Sequence, residues 1–287
     1  MTKIISLKEV KEALKKIDVV QSMEEGFIAY SQGKVVVPPV GEMIFENPPG
    51  DVHIKYGFIE GNDYYVVKIA SGFPENVNLA LSSSNGLMLL FSQKTGELVC
   101  ILLDEGHLTN VRTAAAGAVV AKYLAPREVT RIGILGPGIQ GRMQLEYLKG
   151  VRDCTEVIVW GRNQQRLDAY KAEMEPLGYN IETTLDTGDV ASTCNLIVTC
   201  TPSHEPLLQV EQIQKGTHIT AMGSDTPEKQ ELDSSILKKA RVIVDSISQA
   251  LERGESFHAM KDGMLMTTDL TELGTVIASK ELHRSSV

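Results

Sequence analysis

The sequence predicts an α/β protein in which a doubly wound parallel sheet of the Rossmann type follows a smaller α+β domain built on a mainly antiparallel sheet. Three observations carry this. Residues 131–141 read Arg-Ile-Gly-Ile-Leu-Gly-Pro-Gly-Ile-Gln-Gly, an apolar run closed by glycines at the spacing G-x-G-x-x-G. From there onward short apolar runs alternate with helix-like segments, the pattern of βαβ units. Ahead of it, two pairs of β-rich runs flank turn sequences, as antiparallel hairpins do.

Taken in order, Ser6 is placed to cap a first helix whose apolar face is Val10, Leu14, Ile17 and Val20. A second helix around 23–30 ends near Gly33. Val35-Val36-Val37-Pro38-Pro39-Val40 is extended, because proline is excluded from a helix interior. Residues 53–59 and 64–70 form one hairpin across Glu60-Gly61-Asn62-Asp63, and 87–91 and 98–103 a second around Lys94-Thr95-Gly96. An alanine-rich helix over 109–124, stopped by Pro126, leads to a boundary that gives domains 1–126 and 127–287. Beyond it, strands are expected at 132–135, 157–160, 196–200, 219–222 and 242–244, with 179–183 a further candidate. Helices are expected at 139–148, 164–174, 210–214, 232–239 and 247–253.

The chain has 287 residues and a net charge of -9, with no long basic run. A nucleic-acid or anionic-membrane partner is therefore not expected. No apolar run approaches the roughly 20 residues that span a bilayer, and residues 1–6 lack a signal-peptide core, which predicts a cytoplasmic protein. Cys100, Cys154, Cys194 and Cys200 form no C-x-x-C pair and read as reduced thiols. The histidines lack ligand spacing, so no metal is expected.

In the glycine loop Gly136 permits the tight turn, Gly138 lets backbone approach a pyrophosphate, and Gly141 lets the next helix pack on the strand. Pro137, Ile139 and Gln140 complete the candidate phosphate loop, at the N-terminus of a helix. The second strand ends Trp160-Gly161-Arg162-Asn163 and lacks the acidic residue that would hold a ribose 2′-hydroxyl. Arg162, with Asn163 beside it, can instead meet a 2′-phosphate, which favours NADP(H). The alternative is a surface arginine in a protein that accepts NAD(H) as well. Thr201-Pro202-Ser203-His204 ends another strand at the same edge and is expected to line the cofactor cleft through Thr201, with His204 a loop residue.

Strand alternation puts Lys68 on the face of Tyr64 and Val66, where a lysine is costly unless paired or used. An edge-strand lysine reaching water is the alternative. Arg112, followed by Thr113, opens the alanine-rich helix, where guanidinium and helix dipole together suit a carboxylate; an exposed helix-start arginine would look the same. Asp225 follows a parallel strand at its carboxyl end, where it would exchange a proton with a ligand or cap the next helix.

In these residues the chain resembles the ornithine cyclodeaminase/μ-crystallin family. The resemblance rests on Lys68 followed by Ile69-Ala70-Ser71-Gly72-Phe73-Pro74-Glu75-Asn76, on Leu108-Thr109-Asn110-Val111-Arg112-Thr113-Ala114-Ala115, on the glycine loop, and on Gly223-Ser224-Asp225 with Glu231-Leu232-Asp233. It implies a homodimer or larger assembly with a substrate/dimerisation domain and a Rossmann domain. It also implies that Lys68 contacts the substrate carboxylate or polarises the reacting centre, Arg112 holds a carboxylate, Asp225 is the acid/base, and Thr113 joins Thr201 at the cofactor. The expected activity is reversible NAD(P)H-dependent reduction of a small imine or ketimine carboxylate to an L-amino acid, with keto acid or amino acid as the other small-molecule partners. An ornithine cyclodeaminase with catalytic NAD and a non-catalytic, crystallin-like NADPH-dependent binding protein are the alternatives.

Two departures bear on substrate. Pro39-Val40 is followed by Gly41 where family members often carry arginine. The acidic residue expected before the lysine is replaced within His53-Ile54-Lys55-Tyr56, and Lys55 suits a second anionic group on the substrate better than an amine. Family members usually continue well past Leu273-Gly274-Thr275-Val276, returning a last helix to the first domain. With the sequence ending at Val287, either the chain is a shortened form or the missing helix is expected to weaken cleft and dimer.

Overall fold

A computed structural model of the protein describes residues 2–279. Residues 280–287, on which the expected return of the tail falls, lie outside the described residues. The chain divides into two compact units, Met1–Arg112 and Thr113–Val287.

The first unit begins with β1 (Lys3–Ser6), α1 (Leu7–Leu14) and α2 (Val19–Ser31). Ser6 caps α1 in a reciprocal box with Glu9, and Asp18 caps α2 through Gln21 N at 2.9 Å, so each helix starts where a side-chain oxygen meets an orphan amide. Then come β2 (Val35–Val36), β3 (Gly41–Glu46), β4 (Pro49–Ile59), β5 (Tyr64–Gly72), β6 (Ser84–Ser92) and β7 (Leu98–Leu103). They form one sheet in the order β1-β7-β6-β5-β4-β2, with β3 also on β4. All its pairings are antiparallel except β1 with β7. Both expected hairpins are present. β1 and β3 were not anticipated: each is short and mixed in polarity, and acquires its ladder from a neighbour distant in sequence or folded back on it.

The two compact units meet at 112/113, inside α3 (His107–Leu124), while the boundary expected from the sequence lies near residue 126 at the end of that helix. Its small side chains explain this. Ala114, Ala115, Ala118, Val119 and Ala121 are wholly buried, and Ala121 packs in one core with strand residues of the second unit.

That unit contains β8 (Ile132–Leu135), α4 (Ile139–Leu148), β9 (Glu156–Trp160), α5 (Gln164–Met174), β10 (Asn180–Thr184), α6 (Thr187–Thr193), β11 (Leu196–Thr199) and β12 (His218–Ala221). The strands pair in parallel in the order β10-β9-β8-β11-β12. Helical layers cover both faces. Leu145, Leu148, Leu167, Tyr170 and Met174 bury one face, and Val190, Ala191, Leu208 and Leu237 are among those burying the other. The order reverses between β8 and β11, the switch point outside which such sheets bind ligands.

The C-terminal part holds α7 (Ser234–Lys239), β13 (Val242–Val244), α8 (Ile247–Ala250), α9 (Glu255–Lys261), β14 (Leu270–Glu272) and α10 (Leu273–Ser279). Two expectations need correction. β13 pairs with β14 in a separate parallel ribbon instead of widening the main sheet. Residues 210–214 form a turn and no helix, because Gln209 N donates to the Gln212 side chain at 3.0 Å and offers the backbone a competing partner. No described helix is long and apolar enough to cross a membrane, and all four cysteines are free.

Candidate active site

The glycine loop joins β8 to α4. Gly136 has φ +113°, and its N–H donates to Trp160 O at 3.0 Å, which ties the loop to the next strand. A Cβ on Gly141 would stand 2.1 Å from Gly136 O, so that glycine is required by the protein's own packing. Gly138 differs. It caps α4 without a side-chain bond, and a Cβ there would meet nothing within 4 Å. An open cradle at a helix N-terminus fits a pyrophosphate. The loop is braced by Arg142, which donates to Pro137 O and, at 3.3 Å, to Gly138 O, pairs with Glu173 at 2.5 Å, and lies 5.1 Å over the Tyr170 ring. The buried Tyr170 hydroxyl donates to Gly141 O at 3.0 Å. Ile139 is exposed beside the loop, and Gln140 is half-buried.

Arg162 is exposed just past β9. Asn163 takes a structural task, capping α5 through Arg166 N at 3.1 Å. Trp160 donates its indole N–H to Leu185 O at 3.1 Å and lines a cavity of about 530 Å³ with Leu185, Asp186, Thr187, Pro206 and Leu207. Thr113 offers its carbonyl to the buried Gln144 at 3.0 Å.

Thr201 lies against the loop, with its Cγ2 3.0 Å from where a Gly136 Cβ would be. Its amide and hydroxyl both donate to Glu231, at 2.6 and 2.7 Å. Asp225 is exposed and paired with Lys229 at 2.6 Å, so it does not cap a helix; Asp233 caps α7 instead. Two acids not singled out from the sequence as site residues stand behind these groups. Glu231 is wholly buried, and burial raises its carboxyl while four donors oppose the rise. Glu255 accepts from Glu231 N at 2.8 Å and Leu232 N at 3.0 Å; burial is the main cause that pushes it up to about 7.

In the first unit Lys55 and Lys68 are direct cross-strand partners on β4 and β5. Burial is the largest cause, followed by Arg112 and then Lys55, that pulls the Lys68 ammonium down to about 7, while Asp104 holds it up. Three cations named from the sequence therefore share one electrostatic neighbourhood. Asp104 was missed. It is 1% exposed, accepts from Leu108 N at 2.8 Å, and leaves its Oδ1 without a hydrogen-bond partner. Its sequence signal was an Asp just ahead of a helix, which reads equally well as an ordinary cap. His53 lies on the Lys55 face between Glu42 at 3.3 Å and Asp51 at 3.4 Å.

The second unit thus presents a parallel-sheet switch point with an open glycine cradle, and the first unit a sheet face carrying a lysine whose ammonium is depressed by burial and neighbouring cations. The family model for the ornithine cyclodeaminase/mu-crystallin family matches residues 1–287. The chain belongs to that family. Iminosuccinate reductase of Paracoccus denitrificans is 31% identical over 286 residues, 98% of this chain and 87% of that one. The structure of Thermococcus litoralis Delta(1)-pyrroline-2-carboxylate reductase in complex with NADH and L-proline superposes with a TM-score of 0.92 at 27% identity, over 99% of this chain and 89% of that one. An archaeal alanine dehydrogenase dimer with bound NAD gives 0.90 at 33% identity, over 99% and 87%. The α/β architecture of this chain is shared with these reductase and dehydrogenase structures.

Proposed function

We propose that this protein is an NAD(P)H-dependent reductase of a small imine or ketimine bearing an α-carboxylate, reversible as an L-amino-acid dehydrogenase. The observation that carries the reading is Lys68, cross-strand from Lys55, whose ammonium is pulled down to about 7 by burial first and then by Arg112 and Lys55, against Asp104. A cluster of like charges around a half-desolvated lysine is relieved by an anion, and a substrate carboxylate supplies one. The imine and amino-acid chemistry of the relatives named above supports the same reading.

When bound, the reduced nicotinamide supplies the hydride. Arg112 holds the carboxylate through its planar fork, and Lys68 in its protonated form polarises the reacting centre. Asp225, its carboxylate held in place by Lys229, manages the proton at the substrate nitrogen or at a carbinolamine, accepting it from water and passing it on. Lys55 receives a second anionic group where the substrate has one. Gly136, Gly138 and Gly141, with Pro137, Ile139 and Gln140, cradle the pyrophosphate. Arg162 favours NADP(H) by meeting its 2′-phosphate. The exposed apolar side chains of β3, Met43, Ile44 and Phe45, favour a homodimer, and the four free cysteines fit the reducing cytoplasm.

The test follows near-ultraviolet absorbance of the reduced nicotinamide, with NADPH and then NADH, against cyclic ketimines and 2-oxo acids with ammonia or methylamine. Oxidation that depends on one imine and is faster with NADPH is expected. Cofactor binding without oxidation, together with ammonia release from ornithine and NAD⁺, would replace the reductase by a cyclodeaminase.

A further inference from the structure

We propose that Glu231 is a positioning residue of the candidate active site: a single buried carboxylate locks the ends of β11 and β12 together and thereby sets where Thr201 and the 223–225 turn stand. The inference rests on the reductase reading only for its turnover arm.

The geometry begins where the sheet runs out. β11 and β12 pair up to Thr199 and Ala221, and the final main-chain bond between them is Met222 N to Thr199 O at 2.9 Å. Past it the strands diverge, as they must to open a ligand crevice at the switch point. Glu231 fills the divergence. Its Oε1 accepts from Thr201 N at 2.6 Å and Thr201 Oγ1 at 2.7 Å, and its Oε2 from Thr199 Oγ1 at 2.7 Å and Gly223 N at 2.9 Å. Those four bonds use the acceptor capacity of a carboxylate, about four lone-pair sites. Two of the donors are main-chain amides of the loops leaving the two strands, so the carboxylate continues the ladder after the strands have parted.

The seating is tight on every side. A Cβ on Gly223 would lie 2.2 Å from Thr201 O and 2.5 Å from Glu231 Oε2. The main chain of Glu231 is fixed as well, its N–H on Glu255 of α9 and its carbonyl accepting from Leu207 N at 2.7 Å. Burying a carboxylate is unfavourable, and an apolar side chain would pack the same space without that penalty. What an apolar side chain cannot do is hold two diverging amides in register. That function is useful where the loops carry Thr201 and Asp225.

Glu231→Gln tests this. Glutamine keeps the volume but offers one acceptor oxygen and one donor amide, so at least part of the four-donor set is left unmet. The chain has one tryptophan, Trp160, at the end of the strand next to the glycine loop, and its emission overlaps reduced-nicotinamide absorption, so quenching reports NADPH binding without turnover. The expected result is a folded variant whose NADPH Kd rises about tenfold and whose kcat per binding site falls about a hundredfold, with imine KM little changed, in line with lost hydrogen bonds to a charged group. A variant with a lowered melting temperature but unchanged Kd and kcat per site would overturn the proposal, since a merely structural role predicts that. Thr199→Val is the second variant, for the case in which Glu231→Gln does not fold. It removes one donor from behind the strand, and the same split at about threefold is expected, with an unchanged Kd and kcat overturning the proposal. Wild-type protein that binds NADPH yet reduces no imine would end the reductase reading while the Kd arm still decides Glu231. Wild-type protein that binds neither NADPH nor NADH would end both.

Discussion

Lys68 is the residue at which burial and charge oppose each other most directly. Its ammonium titrates at about 7 in the free protein, and the carboxylate it is proposed to meet needs it protonated. The sign follows. As pH rises through 7 the charged form is lost, so kcat/KM for the imine should decline on the alkaline side with an apparent pKa near 7. Lys68→Arg, whose guanidinium stays charged, should carry that limb to higher pH even while the rate falls by about tenfold or more through altered geometry. A limb that stays in place in Lys68→Arg would assign the titration to another group. Asp104 gives a second handle. Asparagine keeps the cap on Leu108 N but removes the negative charge that holds Lys68 up, so Asp104→Asn should shift the alkaline limb to lower pH. Lys68 and Arg112 were singled out because alternation and helix position isolate them in the sequence. Asp104 was not, since only the registers of β5, β6 and β7 bring the end of β7 round to the Lys68 face, and no local pattern encodes that.

At the scale of the element, β8, the glycine loop and α4 were read correctly because one local pattern specifies all three. The structure adds a distinction among the glycines. Gly141→Ala would drive a Cβ into Gly136 O and should destabilise the fold itself, by about 2 kcal/mol or more. Gly138→Ala meets open space, so its melting temperature without cofactor should stay close to wild type while NADPH affinity drops. Thermal shift with and without NADPH separates the two; a Gly138→Ala variant that binds normally would remove close backbone approach from the argument. Elements with a purely tertiary origin were the ones missed. β3 exists by folding back on β4, β13 finds β14 instead of the main sheet, and the 210–214 turn is closed by a glutamine side chain. Glu231 belongs with them: the family resemblance includes it but gives it no role, because its four donors lie 8 to 32 residues away in sequence.

The same reasoning extends to stability of the whole molecule. Glu255 has its carboxyl raised from 4.5 to about 7, principally by burial. The folded state therefore binds more protons than the unfolded state between those values. Its contribution is fully present below about 4.5 and is lost as pH rises through 7, and is of order 3 kcal/mol at most. Other groups titrate too, so the informative quantity is a difference. The change in unfolding free energy between pH 5 and pH 8, from urea melts, should be less unfavourable by a kcal/mol or more in Glu255→Gln than in wild type, and an identical pH dependence would show that Glu255 does not titrate there.

Assembly and cofactor choice are also properties of the whole molecule. β3 pairs with β4 along one edge, and Met43, Ile44 and Phe45 are 48, 68 and 42% exposed. Consecutive apolar side chains left to water on a strand favour association, and natural proteins seldom leave such an edge uncovered. Ile44→Asp places a charge in the middle of this run without touching the buried core. If the strand is the homodimer surface, sedimentation should show wild type at twice the chain mass of 31.4 kDa and the variant shifted towards it at equal concentration. Arg162→Asp provides the matched control, since it leaves β3 untouched. It should keep the wild-type mass while NADPH affinity falls about tenfold or more against that of NADH, because a carboxylate repels a 2′-phosphate and accepts from a 2′-hydroxyl. A dimer unmoved by Ile44→Asp would shift the interface to another face of the first unit, and an unchanged NADPH/NADH ratio in Arg162→Asp would make that arginine a surface residue.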